Sequence, residues 1–382
     1  MERLKKILSY LLVAVIASGI TVVVMIDWHP ATYGKLDELK DLIDIYFIGE
    51  VDDTALEDAA AGAMVEALND RWSYYMTEEE YRSYLEQMAN AYVGIGIHIV
   101  QREDGYIDVR KVEPGGPAEE AGMKPGDVLI AVEGQDISAF TVEQTKQMVR
   151  GEEGSWVELT VRRGDQDENM RVQRRTIQSI VASGKMLDGG IGLVTIENFD
   201  SRCAAETIAA IEALLAQDAK ALIFDVRYNP GGYKSELLKI LDYLLPEGPL
   251  FRSVDYTGHE AVDTSDAKCL EIPMAVLING DSYSAAEFFA AALSEYGVAK
   301  LVGEPTTGKG HFQTSFELSD GSAAVMSIGK YCTPNGVSLA DVGLTPDIMV
   351  EVDDETYMQI YYDSVASLDD PQLVAAMDAL RK

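Results

Sequence analysis

Three side chains between Asn279 and Gln313 could together carry out nucleophilic chemistry. Ser284 stands in Asn-Gly-Asp-Ser-Tyr-Ser-Ala-Ala-Glu, and Lys309 and Gln313 stand in Gly-Lys-Gly-His-Phe-Gln. They suggest nucleophile, base and orienter. A serine hydroxyl attacks a carbonyl only when a neighbour takes its proton, and a neutral lysine can replace histidine in that task. The lysine must then lose its charge. Lowering its pKa from about 10.4 to about 7 takes roughly 4 to 5 kcal/mol, which burial among apolar groups can supply. Gly308 and Gly310 allow close backbone packing, Phe312 offers apolar cover, and no acid lies between Lys309 and Gln313.

Ser284-Ala-Ala-Glu287 followed by Phe-Phe-Ala-Ala-Ala-Leu also reads as a capping box that opens an apolar helix. The two readings are compatible, because the N–H groups and dipole of a helix N-terminus favour a developing oxyanion. Upstream, Leu222-Ile-Phe-Asp-Val-Arg-Tyr-Asn-Pro-Gly-Gly-Tyr233 is an apolar strand that runs into a turn with two glycines. Such a turn can complete an oxyanion hole, and it is equally a common way to reverse a chain.

Asp225-Val-Arg-Tyr-Asn-Pro-Gly-Gly232, Ser282-Tyr-Ser-Ala-Ala-Glu287 and Gly303-Glu-Pro-Thr-Thr-Gly-Lys-Gly-His-Phe-Gln313 occur in this order, and together they resemble the carboxy-terminal processing peptidases. The resemblance implies a tail-specific serine protease with a crotonase/Clp-protease-like α/β domain. Ser284 would be the nucleophile, Lys309 the general base and Gln313 the group that positions the lysine. The amides of Ala285 and of a glycine in the Pro230-Gly-Gly232 turn, taken as Gly231, would form the oxyanion hole. Tyr283, where the family usually has a small residue, and His311-Phe312, in place of Thr-Val, depart from the family pattern and bear on subsite shape.

The geometry of 309–313 depends on its secondary structure. On a helix Lys309 and Gln313 share a face and His311 points away; on a strand all three share a face and His311 becomes a candidate partner. The roles given to Lys309 and Gln313 favour the helix, leaving His311 a structural or subsite part.

Tyr92-Val-Gly-Ile-Gly-Ile97 and Pro114-Gly-Gly-Pro-Ala-Glu-Glu-Ala-Gly-Met-Lys-Pro-Gly-Asp-Val-Leu-Ile130 look like a PDZ domain. Gly94 and Gly96 permit a loop whose amides converge on a terminal carboxylate, and the following strand edge can pair with an extended peptide. Ile95 and Ile97 could frame a pocket for the last side chain, so Tyr92, Gly94, Ile95, Gly96 and Ile97 are the candidate tail-binding residues. Without the resemblance the run is a glycine-interrupted strand. Trp156-Val-Glu-Leu-Thr-Val-Arg-Arg-Gly164 alternates as a half-buried strand and would close the module.

Arg3, Lys5 and Lys6 precede an apolar stretch from Ile7 to Ile26, with Asp27 and Trp28 beyond. About twenty such residues can span a bilayer, and the basic flank stays inside. A cleaved signal peptide is the rival, but its core is shorter, and Ile16-Ala-Ser-Gly-Ile20 is a poor cleavage site. The expectation is a single-pass membrane anchor that places the rest of the chain outside the cytoplasm.

Sixty-four acidic residues against 31 Lys plus Arg give a net charge of −33, which disfavours nucleic acid and weakly favours basic tails. The four histidines are too scattered to form a metal site, and no metal or organic cofactor is expected. Cys203, Cys269 and Cys332 are too few for a disulfide framework and read as buried small residues.

Helical segments are expected at 36–46, 54–68 and 78–88. In the second, Leu56, Ala60, Met64 and Leu68 form a stripe, suited to packing or to dimerisation. From about residue 188, strands and helices alternate in the manner of an α/β layer with parallel strands. Ligands gather at the carboxyl ends of such strands, where the Asn229-Pro-Gly-Gly turn and Ser284 both fall. The expected organisation is a multidomain chain, α+β and α/β: an anchor (1–30), a helical arm (31–90), a β-rich PDZ-like domain (91–175), a protease domain (176–352) and a C-terminal helical segment (353–382).

The expected function is a membrane-tethered serine endopeptidase that captures flexible, apolar C-terminal tails of proteins and cleaves them through an acyl-enzyme, with a homodimer formed through the arm. A catalytically inactive PDZ scaffold is the alternative from another class. The membrane-anchored trypsin-like enzymes with PDZ domains fit poorly, since only His29 precedes the PDZ-like run and no Gly-Asn-Ser-Gly-Gly is present.

Overall fold

The computed structural model describes residues 34–361 and 369–381. The expected anchor at 7–26 lies outside the described residues, and no helix among those described is long and apolar enough to cross a membrane. The chain divides into two units, residues 1–61 and 62–382. In the first, α1 (Gly34–Tyr46) buries none of its residues, and its Lys40 ammonium pairs with Asp44 at 2.6 Å and with Asp53 at 2.8 Å. Asp53 opens α2 (Asp53–Glu66), which runs into the second unit.

The second unit continues with β1 (Tyr74–Met76), α3 (Glu78–Met88) and β2 (Ala91–Gly94). Thr77 and Glu80 form a reciprocal capping box that fixes the start of α3. After it, buried Asn90 exchanges side-chain hydrogen bonds with Asn198 at 2.7 and 3.1 Å, tying this link to the larger α/β part.

Next come β3 (Ile97–Gln101), β4 (Ile107–Val112), α4 (Pro117–Glu120), β5 (Val128–Val132), β6 (Gln135–Asp136), α5 (Val142–Val149), β7 (Trp156–Arg163) and β8 (Gln166–Gln173). The sheet order is β3-β4-β5-β7-β8, with β6 beside β5. The alternation read in 156–164 is real: Val157, Leu159 and Val161 fill the core while Trp156 and Glu158 face out. After β8, β9 (Arg175–Gln178) pairs with β2 in a separate two-stranded sheet.

The larger α/β part contains β10 (Ala182–Leu187), β11 (Ile191–Ile196), α6 (Cys203–Ala216), β12 (Ala221–Asp225), α7 (Lys234–Leu244), β13 (Gly248–Asp255), β14 (Glu260–Ser265), β15 (Met274–Ile278), α8 (Ala285–Glu295), β16 (Ala299–Gly303), β17 (His311–Glu317), β18 (Ala323–Cys332), β19 (Ile348–Met349), α9 (Asp354–Tyr361) and α10 (Pro371–Leu380). Its main sheet runs β10-β11-β12-β15-β16-β19, parallel except for the β10 edge. Continuous apolar strands demand cover on both faces. Leu222, Phe224, Val276 and Ile278 pack in one cluster with α6, α7 and α8, whereas Ile223, Ala275 and Leu277 pack with Leu373, Ala376 and Met377 of α10. The end of the chain therefore completes this layer. Buried Arg227 ties it down, reaching Asp225 at 2.5 Å, Asp370 at 2.9 Å and Gln372 at 3.0 Å.

A second sheet is built on β18, which pairs with β1, β13 and β17, while β13 pairs in turn with β14. It brings the 309–313 and 329–332 segments over the carboxyl ends of the main sheet.

Candidate active site

Strand β15 is buried at every residue and delivers the chain to a tight turn at the carboxyl edge of the sheet. Buried Asn279 and Ser282 hold that turn: Ser282 Oγ donates to Val226 O at 2.7 Å and accepts from Asn279 N–H at 3.1 Å. Ser282 is thus structural. Ser284 follows with φ 57° and ψ −125°, a conformation that costs a residue with a Cβ on the order of 1–3 kcal/mol and so concentrates at functional sites. Helix α8 starts at the next residue, leaving the Ala285 N–H among the first amides, which have no intrahelical acceptor.

The capping-box glutamate does more than cap. Glu287 is fully buried, and its carboxylate accepts from Ser284 N–H at 3.0 Å, Lys309 N–H at 2.8 Å, Gly308 N–H at 2.8 Å and Thr306 Oγ1 at 2.5 Å. Burial pushes its pKa up, against these four hydrogen bonds. One carboxylate therefore fixes the backbone of both the candidate nucleophile and the candidate base. The capping pattern marks Glu287 in the sequence; its bonds across to 306–309 leave no local signal.

Lys309 lies in the loop before β17, and Gln313 lies on that strand. The helical expectation for 309–313 is thus corrected: β17 is claimed by seven pairings along β18, from His311 opposite Lys330 to Glu317 opposite Ala323. The strand alternation that would align His311 with Gln313 is broken by an irregularity in register between Phe312 and Gln313. Gln313 Nε2 donates to His311 O at 3.0 Å and to Ser327 Oγ at 3.1 Å.

The Lys309 ammonium rests against two aromatic rings, 4.7 Å from the centre of Trp72 and 5.7 Å from that of Tyr283. Burial lowers its pKa to about 8, opposed by the charges of Glu287 and Asp70. Trp72 is held in place by its neighbour Ser73, whose Oγ donates to Asp70 at 2.6 Å and accepts from Ser327 N–H at 3.0 Å. Nothing in the sequence around Trp72 marks it for this site. Tyr283, the departure from the family pattern, supplies the second wall.

Ser284 Oγ makes its hydrogen bond with the hydroxyl of buried Tyr331 at 2.9 Å. Among the described residues no hydrogen bond joins Ser284 to Lys309. Tyr331 is packed edge-on against Phe288 and stacked near Phe312, and burial drives its pKa upward. It lies inside the strand-like run Gly329-Lys-Tyr-Cys, which carries no chemical signature of its own.

Gly231 and Gly232 sit beside Ser284 with φ 90° and 147°. A Cβ at Gly231 would lie 2.7 Å from Ser284 Cβ and 2.9 Å from Ala285 N, so only glycine fits. Its own N–H donates to Asn229 Oδ1 at 2.8 Å, so in this conformation the Gly231 amide is engaged away from an incoming carbonyl. Ser284, Ala285, Lys309, Gln313 and Gly231 all line one cavity of about 680 Å³.

The candidate tail-binding residues lie apart from it. Tyr92 and Gly94 belong to β2, Gly96 adopts φ 77°, and Ile97 opens β3, an edge strand beside α5. A free strand edge beside a helix is the arrangement that accepts an extended peptide. Ile95 is 2% exposed and packs in the core of the module. No group of three or more metal-ligating side chains occurs among the described residues.

Comparison with known proteins agrees with this architecture. The profile of peptidase family S41 matches residues 190–350, and that of the PDZ domain matches residues 109–163. The chain is 31% identical over 366 residues to the carboxy-terminal processing protease CtpA of Bacillus subtilis, covering 92% of this chain and 78% of that one. It is 30% identical over 325 residues to a CtpA-like serine protease of Staphylococcus aureus, where it covers 84% of itself but only 65% of the relative. A solved structure from Bacteroides fragilis assigned to the S41 proteases superposes with a TM-score of 0.54 at 16% identity, over 84% of this chain and 90% of that one; that likeness concerns the fold alone.

Proposed function

The chain belongs to the carboxy-terminal processing proteases of peptidase family S41, and on that premise we propose that it cleaves protein C-terminal tails with a Ser284–Lys309 dyad after capturing them through its PDZ domain. The observation that carries this reading is the shared cavity: a strained serine at a helix N-terminus, a buried lysine with a pKa of about 8, and one carboxylate anchoring the backbone of both.

In the reaction Ser284 Oγ attacks the scissile carbonyl while neutral Lys309 accepts its proton. The oxyanion is met by the Ala285 amide and by an amide of the Gly231-Gly232 turn. The protonated lysine then delivers its proton to the departing amine, and water hydrolyses the acyl-enzyme in a second round of the same transfers. Gln313 steadies the lysine in its working rotamer. Reaching that arrangement from the present one requires Ser284 Oγ to leave Tyr331, the Lys309 ammonium to swing from Trp72, and either Gly231 N–H to leave Asn229 or Gly232 to serve in its place. A tail paired along β3 is the event that would bias these changes, because only a ligand with different affinity for the two arrangements can shift between them. The substrate is a flexible tail with apolar terminal residues, the enzyme is anchored by residues 7–26 with its catalytic part outside the cytoplasm, and the arm forms a homodimer.

A PDZ scaffold without activity has one observation in its favour, the Ser284–Tyr331 hydrogen bond that occupies the nucleophile. The chain from Asp27 onward, incubated with a flexible reporter ending in apolar residues, separates the two. Cleavage that disappears in Ser284→Ala and Lys309→Ala supports the dyad. Equal cleavage by all three, or by none across varied tails, refutes it.

A further inference from the structure

The catalytic cavity extends away from Lys309 to a second acidic group that the reaction does not use. Asp200 lines the same cavity as Ser284. It is 4% exposed, and its Oδ1 has no hydrogen-bond partner. No lysine, arginine or histidine lies within ion-pair distance of it among the described residues; Lys234, on the cavity wall, is committed to Asp263 at 2.7 Å. The position is built. Asn198 Oδ1 accepts from Asp200 N–H at 3.0 Å while Asn198 is itself locked to Asn90, and Ser201 N–H donates to Met88 O at the end of α3.

The surroundings are aromatic. Tyr81 and Tyr84 of α3, and Tyr233 after the glycine turn, line the cavity beside Asp200. On its other side Asp200 Oδ1 presses on the turn itself: a Cβ at Gly232 would meet it at 2.5 Å. The carboxylate therefore abuts the glycine turn whose other member, Gly231, lies against Ser284.

An unpaired carboxylate in a recess walled by aromatic rings is costly, and the group that relieves the cost is a cation that pairs with the carboxylate and lies against the rings. We propose that Asp200 is the floor of a specificity subsite that accepts a lysine or arginine side chain of the substrate next to the scissile bond. The proposal rests on the protease reading and names the substrate class of that same site. Burial raises the Asp200 pKa to about 7, and a cation bound beside it would favour the ionised form. An acidic chain of net charge −33 draws in such segments.

The test is a set of reporter tails, identical at their apolar C-termini, with Lys, Arg, Gln, Ala or Glu placed in turn at each position flanking the cleaved bond. Wild-type chain and Asp200→Asn are compared, and the melting temperature of each is checked. At one position the wild type should favour Lys or Arg over Gln by at least about tenfold in kcat/KM, and Asp200→Asn should abolish that preference while still cleaving the Gln and Ala tails. Binding of the same tails to Ser284→Ala, read by fluorescence anisotropy, reports the subsite without cleavage: a preference for Lys or Arg that needs Asp200 supports the subsite even if no tail is cleaved and the protease reading fails. Equal kcat/KM for basic and neutral tails in the wild type, or a preference for basic tails that persists in Asp200→Asn, overturns it.

Discussion

Ser284 Oγ and the Tyr331 hydroxyl are 2.9 Å apart, and this pairing joins the N-terminus of α8 to the end of β18 across 47 residues of sequence. The nucleophile thus has a buried partner that is not its base. Replacing Tyr331 with Phe keeps the ring contacts with Phe288 and Phe312 and removes only the hydroxyl. A net hydrogen bond is worth about 1 kcal/mol, so kcat/KM should rise about fivefold as Ser284 is released to Lys309, with little change in melting temperature. A fall in kcat/KM would show that Tyr331 holds Ser284 in its working position.

The pH dependence follows from Lys309. Its pKa in the folded chain is about 8, below its ordinary value, and only the neutral amine accepts a proton. Activity should therefore climb as pH rises through about 8, with roughly a tenth of the lysines neutral at pH 7. Because folding favours the neutral form, the cost of burying this group is present below about pH 8 and is relieved as pH rises towards the unfolded value. A kcat/KM profile that is flat from pH 6 to pH 9 would contradict Lys309 as base.

Trp72 covers the lysine and so belongs to the burial that lowers this pKa. Trp72→Ala lets water reach the ammonium and should move the midpoint of the pH profile upward, by about one unit. Trp72→Phe, which keeps an apolar ring, should hold the midpoint near that of the wild type. Loss of activity in both variants with unshifted midpoints would limit Trp72 to packing.

Glu287 holds four donors from two segments. Glu287→Ala strands buried amides and should cost roughly 2–4 kcal/mol in denaturant unfolding. Activity should fall further than stability does, by about a hundredfold or more, since the Ser284 and Lys309 backbones lose their common tether. A variant with wild-type kcat/KM would mean that packing alone positions the pair.

Gly231→Ala places a methyl against Ser284 Cβ and Ala285 N at a φ of 90°. Activity should drop by at least about a hundredfold as the oxyanion site closes, and the melting temperature should fall. Retained activity would move the oxyanion site away from this turn.

The main α/β layer was readable because its strands are continuous apolar runs; the apolar strand read from Leu222 into the glycine turn is β12. The capping box at Ser284 is equally local. What misled was 309–313, where a spacing of four suits a helix but pairing with β18, which joins residues as far apart in sequence as 311 and 330, imposes a strand.

By itself the sequence determined the order of modules, the serine at a helix start and the lysine and glutamine that follow, because these depend on residue type and near-neighbour spacing. Tertiary structure alone decided that Glu287 bridges Ser284 and Lys309, that Trp72 and Tyr283 enclose the ammonium, that Tyr331 occupies the nucleophile and that Asp200 Oδ1 has no hydrogen-bond partner among the described residues. Those relations join residues tens to hundreds of positions apart. A pKa, a free lone pair or a hydrogen-bond partner is a property of the assembled surroundings, and no local pattern encodes it.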